Sequence, residues 1–115
     1  MASLIYCCIT SLGGYIEDAA GSVPADIDTA RTRLEPRFDP VAAARMRAEA
    51  SRNLVVVGGA ALAAHALAAR LVDEVHRFVS PVIVGGGKRF LPAGLDARLT
   101  LLAEQRFGNG VVFLR

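Results

Sequence analysis

Leu54-Val55-Val56-Val57-Gly58-Gly59-Ala60-Ala61-Leu62 is the stretch that decides the fold. Four apolar residues, three of them β-branched, make a strand suited to burial. Two glycines then let the backbone turn sharply, and an alanine-rich helix begins at once. A strand that ends in Gly-Gly at a helix N-terminus presents free backbone N–H groups and the positive end of the helix dipole, an arrangement that suits a phosphate. The same pattern occurs in α/β proteins with no ligand there. These residues alone therefore leave an anion site and a purely structural turn both open.

Upstream, Leu4-Ile5-Tyr6-Cys7-Cys8-Ile9 is apolar throughout and reads as a strand central in its sheet. Thr10 to Ser22 carries Gly13, Gly14 and Gly21 around Tyr15 and Ile16, and reads as a loop of the kind that covers a site. Glu17 and Asp18 follow it as an acid pair, and their polar, glycine-rich setting favours a solvated turn over proton transfer. From Val23 to Pro40 the prolines and aspartates conflict with a long helix, leaving a short one over Ile27 to Leu34. Asp39-Pro40 reads as an N-cap and first helical position, opening a helix over Val41 to about Ser51.

Downstream, a helix is expected from Ala60 to about Arg70, with Leu62, Ala66 and Leu67 on one side and Leu71 continuing the stripe. Val75, Arg77 and Val79 alternate with His76, Phe78 and Ser80, and the apolar run continues through Pro81 into Val82-Ile83-Val84. A proline there marks an edge, a bulge or a crossing between sheets. Leu99 to Phe107 reads as a strand, Gly108-Asn109-Gly110 as a hairpin turn, and Val111 to Leu114 as the last strand. The order implies an α/β fold, mostly parallel, with an antiparallel end.

Composition narrows the function classes. The chain has 115 residues, 53% of them hydrophobic, which is enough for a packed core. Its net charge of +2 is spread without any like-charged block, so nucleic acid is not implied. Adjacent Cys7 and Cys8 point to opposite faces of a strand and are expected to be free thiols in a reducing compartment. His65 and His76 have no partner at zinc-ligand spacing, and no metal is expected. Gly85-Gly86-Gly87-Lys88 lacks the spacing and the following Ser or Thr of an ATPase phosphate loop, and reads as a turn that could bring Lys88 and Arg89 near an anion. With no signal-peptide pattern and no apolar run of membrane length, the expected location is cytoplasmic.

Several segments together resemble the dihydrofolate-reductase-like superfamily, and most closely the reductase (C-terminal) domain of the bacterial riboflavin-pathway deaminase–reductase. Ser11-Leu12-Gly13-Gly14-Tyr15-Ile16 is similar to its S-L-D-G-Y-I loop, and Val56-Val57-Gly58-Gly59-Ala60-x-Leu62 to its cofactor-phosphate turn. Leu71-Val72-Asp73-Glu74-Val75, followed by Val79-x-Pro81-Val82-x-Val84-Gly85-Gly86-Gly87, resembles its L-V-D-E and P-V-x-L-G-G-G segments. Arg106-Phe107-x-x-Gly110-Val111-Val112 resembles its final hairpin.

The resemblance implies a mostly parallel sheet flanked by helices, with one sheet edge truncated. It implies one reductase-like domain over 1–115: first strand and glycine loop to 22, a shortened variable segment over 23–39, and the cofactor-turn half with the hairpin over 40–115. It implies NADPH as cofactor, held at Gly58, Gly59, Ala60 and Leu62. A pterin-like or ribosylaminopyrimidine substrate, or the nicotinamide, would meet Ile9, Gly13, Gly14, Tyr15 and Ile16. No residue is assigned to catalysis.

The departures also carry information. No Gly-Arg-x-Thr helix start exists here, and the block that holds the cofactor's adenosine phosphate in the family is missing. Arg31, Arg33 and Arg37 are the residues left to replace it. Gly13 stands where the family has aspartate, and Val57 where riboflavin-pathway reductases carry an acidic residue. Removing the middle block turns Leu54–Val57 into an apolar edge strand, which calls either for a homodimer or for cover by Val23–Pro36. The alternative to an NADPH-dependent reductase is a non-catalytic homologue that acts as a dimerising module.

Overall fold

The structure, a computed structural model, describes residues 2–17, 37–56 and 59–115. Seven strands and two helices follow in order: β1 (Leu4–Thr10), β2 (Tyr15–Glu17), α1 (Pro40–Glu49), β3 (Leu54–Val56), α2 (Ala60–Ala68), β4 (Glu74–Val79), β5 (Lys88–Arg89), β6 (Glu104–Arg106) and β7 (Val112–Leu114). The main sheet has the strand order β3-β1-β4-β7-β6, and β2 pairs with β5 in a small second sheet. β1 is parallel to both β3 and β4, whereas β7 and β6 continue the sheet antiparallel. This is the expected α/β architecture, with the parallel strands at one end and the hairpin at the other.

Alternation along β1 sets the two faces. Leu4, Tyr6 and Cys8 form the core with Val56, Ala63, Ala66 and Leu71, and Ala43 and Ala44 of α1 pack against the same cluster. Both helices therefore cover one face. On the opposite face the register places Ile9 beside Phe78, and Phe78 beside Phe113. The rings of Phe78 and Phe113 lie 4.8 Å apart. β3 is the edge strand foreseen from the sequence, and its Val55 is 51% exposed. The segment Val23–Pro36 lies outside the described residues.

Asp73 ties the lower end of this sheet together. Its backbone N–H donates to the Leu4 carbonyl at 2.8 Å, and its carboxylate accepts from the Leu4 N–H at 2.8 Å. The same carboxylate lies 3.4 Å from Arg47 of α1, which also donates to the Leu71 carbonyl at 2.7 Å. One side chain thus holds the start of the central strand, the entry to β4 and helix α1.

Four expectations need correction. Of the stripe expected on α2, Ala66 and Leu71 are buried and Leu67 packs against the core, but Leu62 is 46% exposed and Ala60 and Ala63 take the buried face with Ala66. Small side chains let the helix axis lie close to the sheet, so the larger leucine at the N-terminus turns outward. The apolar run after β4 does not continue as a strand, because Pro81 has no N–H to donate. Instead Val82 N–H closes a short turn onto the Ser80 carbonyl at 2.8 Å. The strand expected over Leu99 to Phe107 is confined to Glu104–Arg106. The ladder's last rung joins Leu102 and Ala103 to Arg115, and among the described residues no strand pairs with those before it. Lastly, Tyr15–Glu17 is a strand rather than loop, because Lys88–Arg89 supplies a partner from far along the chain.

Candidate cofactor and substrate site

The three parallel strands end at the same edge of the sheet, and open α/β sheets place their ligands outside such strand ends. Thr10 ends β1, Val56 ends β3 and Val79 ends β4. Helix α2 starts just beyond β3 with Gly59 as its N-cap, and among the described residues no side chain caps it. Its first N–H groups have no partner within the helix, and the positive end of the dipole lies there. A Cβ on Gly59 would lie 3.6 Å from Leu62 Cβ, an ordinary contact. Gly59 is therefore not required by crowding, and its lack of a side chain leaves the amides uncovered. Val57 and Gly58 lie outside the described residues.

The loop after β1 is held by its own backbone. Ser11 N–H donates to the Tyr15 carbonyl at 2.9 Å, Gly14 N–H to the Ser11 carbonyl at 3.1 Å, and Tyr15 N–H to Ser11 Oγ at 3.2 Å. Gly14 has φ of +88°, a conformation that favours glycine. A Cβ there would also stand 3.2 Å from the Phe90 ring. Across the strand ends, Ser80 N–H donates to the Thr10 carbonyl at 2.8 Å and Leu12 N–H to the Val82 carbonyl at 2.8 Å. The loops after β1 and β4 are thus laced to one another.

Arg77 stands in the middle of this lacing, and sequence reasoning had not picked it out. Its Nε donates to Thr10 Oγ1 at 2.8 Å, and Nη2 lies 3.5 Å from the Ser11 carbonyl. The guanidinium rests on the Phe90 ring, 4.5 Å from its centroid. The signal was available: Arg77 is a charge at an inward position of the Val75-Arg77-Val79 alternation. Beneath it, Tyr6 is 1% exposed and its hydroxyl donates to the Phe90 carbonyl at 2.7 Å. Burial, helped by the neighbouring Cys8, pushes the Tyr6 hydroxyl up to about 12. Burial and Cys7 push the Cys8 thiol up to about 11 against the opposing pull of Arg77. Both groups keep their protons at neutral pH and serve packing.

The expected site residues do not all meet in one place. Gly13, Gly14 and Tyr15 shape the loop, Tyr15 with Arg89 stacked 5.5 Å from its ring, while Ile16 packs inward against the core. Ile9 is 67% exposed on the opposite face of β1 from the core. Among the cofactor-turn residues, Ala60 is buried beneath the helix start and Leu62 faces outward. Arg37 is exposed just before Phe38, whose ring stacks on His65 of α2 at 5.7 Å, while Arg31 and Arg33 lie outside the described residues.

Comparison with known proteins identifies the lineage. The RibD C-terminal domain model matches residues 26–113, most of the chain. The chain belongs to the RibD C-terminal domain family. A solved structure of a protein from Shewanella sp. PV-4, described as belonging to riboflavin biosynthesis, superposes with a TM-score of 0.71. The alignment covers 97% of this chain and 96% of that one at 13% identity, so it speaks for the fold. No curated protein matches the sequence. The dihydrofolate-reductase-like architecture expected from the sequence and the RibD C-terminal domain assignment therefore agree. Among the described residues no helix is long and apolar enough to cross a membrane.

Proposed function

We propose that this RibD C-terminal domain homologue is an NADPH-dependent reductase of the riboflavin-pathway pyrimidine reductase type, acting on a pterin-like or ribosylaminopyrimidine substrate. The observation that carries the reading is the uncapped start of α2 at Gly59, set at the C-terminal edge of the parallel strands and next in the sheet to the loop after β1. The donor set fits a pyrophosphate: backbone N–H groups of Gly59, Ala60 and Ala61 and a helix dipole, with no carboxylate cap to compete. NADPH would supply the hydride. The chain's own part is to bind and orient: the α2 amides take the diphosphate, and the Ser11–Tyr15 turn, laced to Val82, gives the cleft a rigid wall. Leu12 and Val82 put apolar surface beside it and keep water from the transfer. Arg37 is the described cation available to the adenosine phosphate.

Calorimetric titration of NADPH, paired with the loss of reduced-nicotinamide absorbance on adding substrate, tests this. Saturable micromolar binding with turnover is expected. Binding that stays in the millimolar range contradicts it.

The exposed edge β3 favours a second reading, a dimerising module without catalysis. A homodimer joined through β3 is compatible with both readings. Under the second, the chain dimerises and NADPH does not bind.

A further inference from the structure

A groove of about 670 Å³ opens on the core-facing side of β4 and β7, beneath the segment over residues 98–102. That size is in the range of roughly 300–1,000 Å³ typical of small-molecule sites. Its walls include Val75, Leu91, Leu99 and Leu114 as apolar surface, with Arg77 and Arg98 among the charged residues. None of Gly59, Ala60 or Leu62 lines it, so it is a different place from the proposed cofactor turn.

The charges in the groove are unevenly matched. Its two side-chain carboxylates are already engaged: Asp73 with Arg47 at 3.4 Å, and Glu74 with Arg115 at 3.6 Å and with His76 at 3.4 Å. Arg98 makes no hydrogen bond or ion pair among the described residues. Arg77 has no carboxylate partner there either. A guanidinium carries five N–H donors. The Nε–H and one N–H of Nη2 are directed to Thr10 and Ser11, and one ring face is covered by Phe90. Among the described residues, the Nη1–Nη2 end of Arg77 keeps its donors without an acceptor. That free end is the fork that binds a carboxylate or phosphate through two parallel hydrogen bonds. Its position is fixed beforehand by Thr10 and Phe90, so little side-chain entropy is lost when an anion docks.

We propose that this groove is a binding site for an organic oxyanion with an apolar body, its head on the Arg77 fork with Arg98 opposite and its body against Val75, Leu91 and Leu99. The leucines alone would suit a neutral ligand or a second copy of the chain equally well. The unmatched guanidinium of Arg77, itself half-buried, is what selects an anion. The same side chain anchors Thr10 and Ser11, so occupancy of the groove is linked to the loop that follows β1. The site stands whether or not the α2 turn binds NADPH.

The test titrates the intact chain with 4-phenylbutyrate and, separately, with 4-phenylbutanol, which has the same body and no charge. Calorimetry gives the affinities, and the Arg77 Nε–Hε resonance reports contact. The acid is expected to saturate one site about tenfold more tightly than the alcohol and to shift that resonance. Arg77→Lys keeps the charge and loses the fork, and is expected to weaken the acid by about tenfold. Arg98→Ala, on an exposed segment where folding is not at stake, is expected to weaken it by about threefold without affecting the alcohol. Equal affinity for acid and alcohol overturns the assignment. So does failure to saturate, or an acid affinity that Arg98→Ala leaves unchanged. If the chain self-associates and the acid binds only the dissociated form, the groove is an interface and the proposal fails.

Discussion

Helix α1 begins at Asp39, whose carboxylate accepts from the N–H groups of Val41 at 2.9 Å and Ala42 at 3.4 Å. Helix α2 begins at Gly59, where among the described residues no side chain takes those roles. Both helices pack on the same core. One start is closed with a negative charge, which satisfies the free amides and complements the dipole. The other has no side-chain cap and starts beyond the end of β3. Under the proposed function, the first turn of α2 takes the cofactor's anion while α1 is a structural support.

The difference extends to how the helices are seated. Ala63 and Ala66 of α2 are almost completely buried against β1 and β3, whereas α1 has no fully buried residue. The helix without a side-chain cap is thus the more deeply buried of the two.

The contrast can be broken in several places. The largest effect is expected from Ala63→Leu, which forces bulk into the contact between α2 and the sheet and costs about 2–3 kcal/mol in urea denaturation. Ala44→Leu in α1 is expected to cost less than about 1 kcal/mol, because that position is only half-buried. Equal costs would show that the two helices are seated alike. Next is Asp73→Ala, which strands the Leu4 N–H and frees Arg47, with an expected loss of about 2 kcal/mol in the same measurement. Asp39→Ala removes the α1 cap and is expected to cost about 1 kcal/mol while leaving NADPH affinity unchanged. The smallest change in stability is reserved for the open helix. Gly59→Asp fits sterically and is expected to add a few tenths of a kcal/mol to stability, since aspartate caps better than glycine. It should also cut NADPH affinity by more than about tenfold, because a fixed carboxylate occupies the anion's place. A variant that gains stability and keeps its affinity would remove the reason for leaving α2 uncapped.

Features written in adjacent residues were legible before the structure. The Asp39-Pro40 helix start, the Gly108-Asn109-Gly110 turn and the place of Leu4–Ile9 inside the sheet are local in origin, and each stands where it was expected. The edge position of β3 followed from the missing middle block. What could not be read were partnerships between distant segments. Tyr15 and Ile16 have no strand pattern of their own and become a strand only because Arg89 arrives opposite Tyr15. The burial of Ala63 instead of Leu62 depends on how closely α2 approaches the sheet, which its own periodicity does not encode. Arg77 reads as an ordinary strand charge until Thr10, Ser11 and Phe90 are brought around it. Val82 to Val84 had strand composition, yet Pro81 and the lacing to Leu12 outweigh it.

Under the proposed function the start of α2 binds an anion and the start of α1 does not. The most direct measurement follows backbone amide resonances during an NADPH titration. The N–H signals of Gly59, Ala60 and Ala61 are expected to shift to a common saturation point while those of Val41 and Ala42, held by Asp39, stay in place. Unmoved α2 amides, or equal shifts at both helix starts, would contradict it.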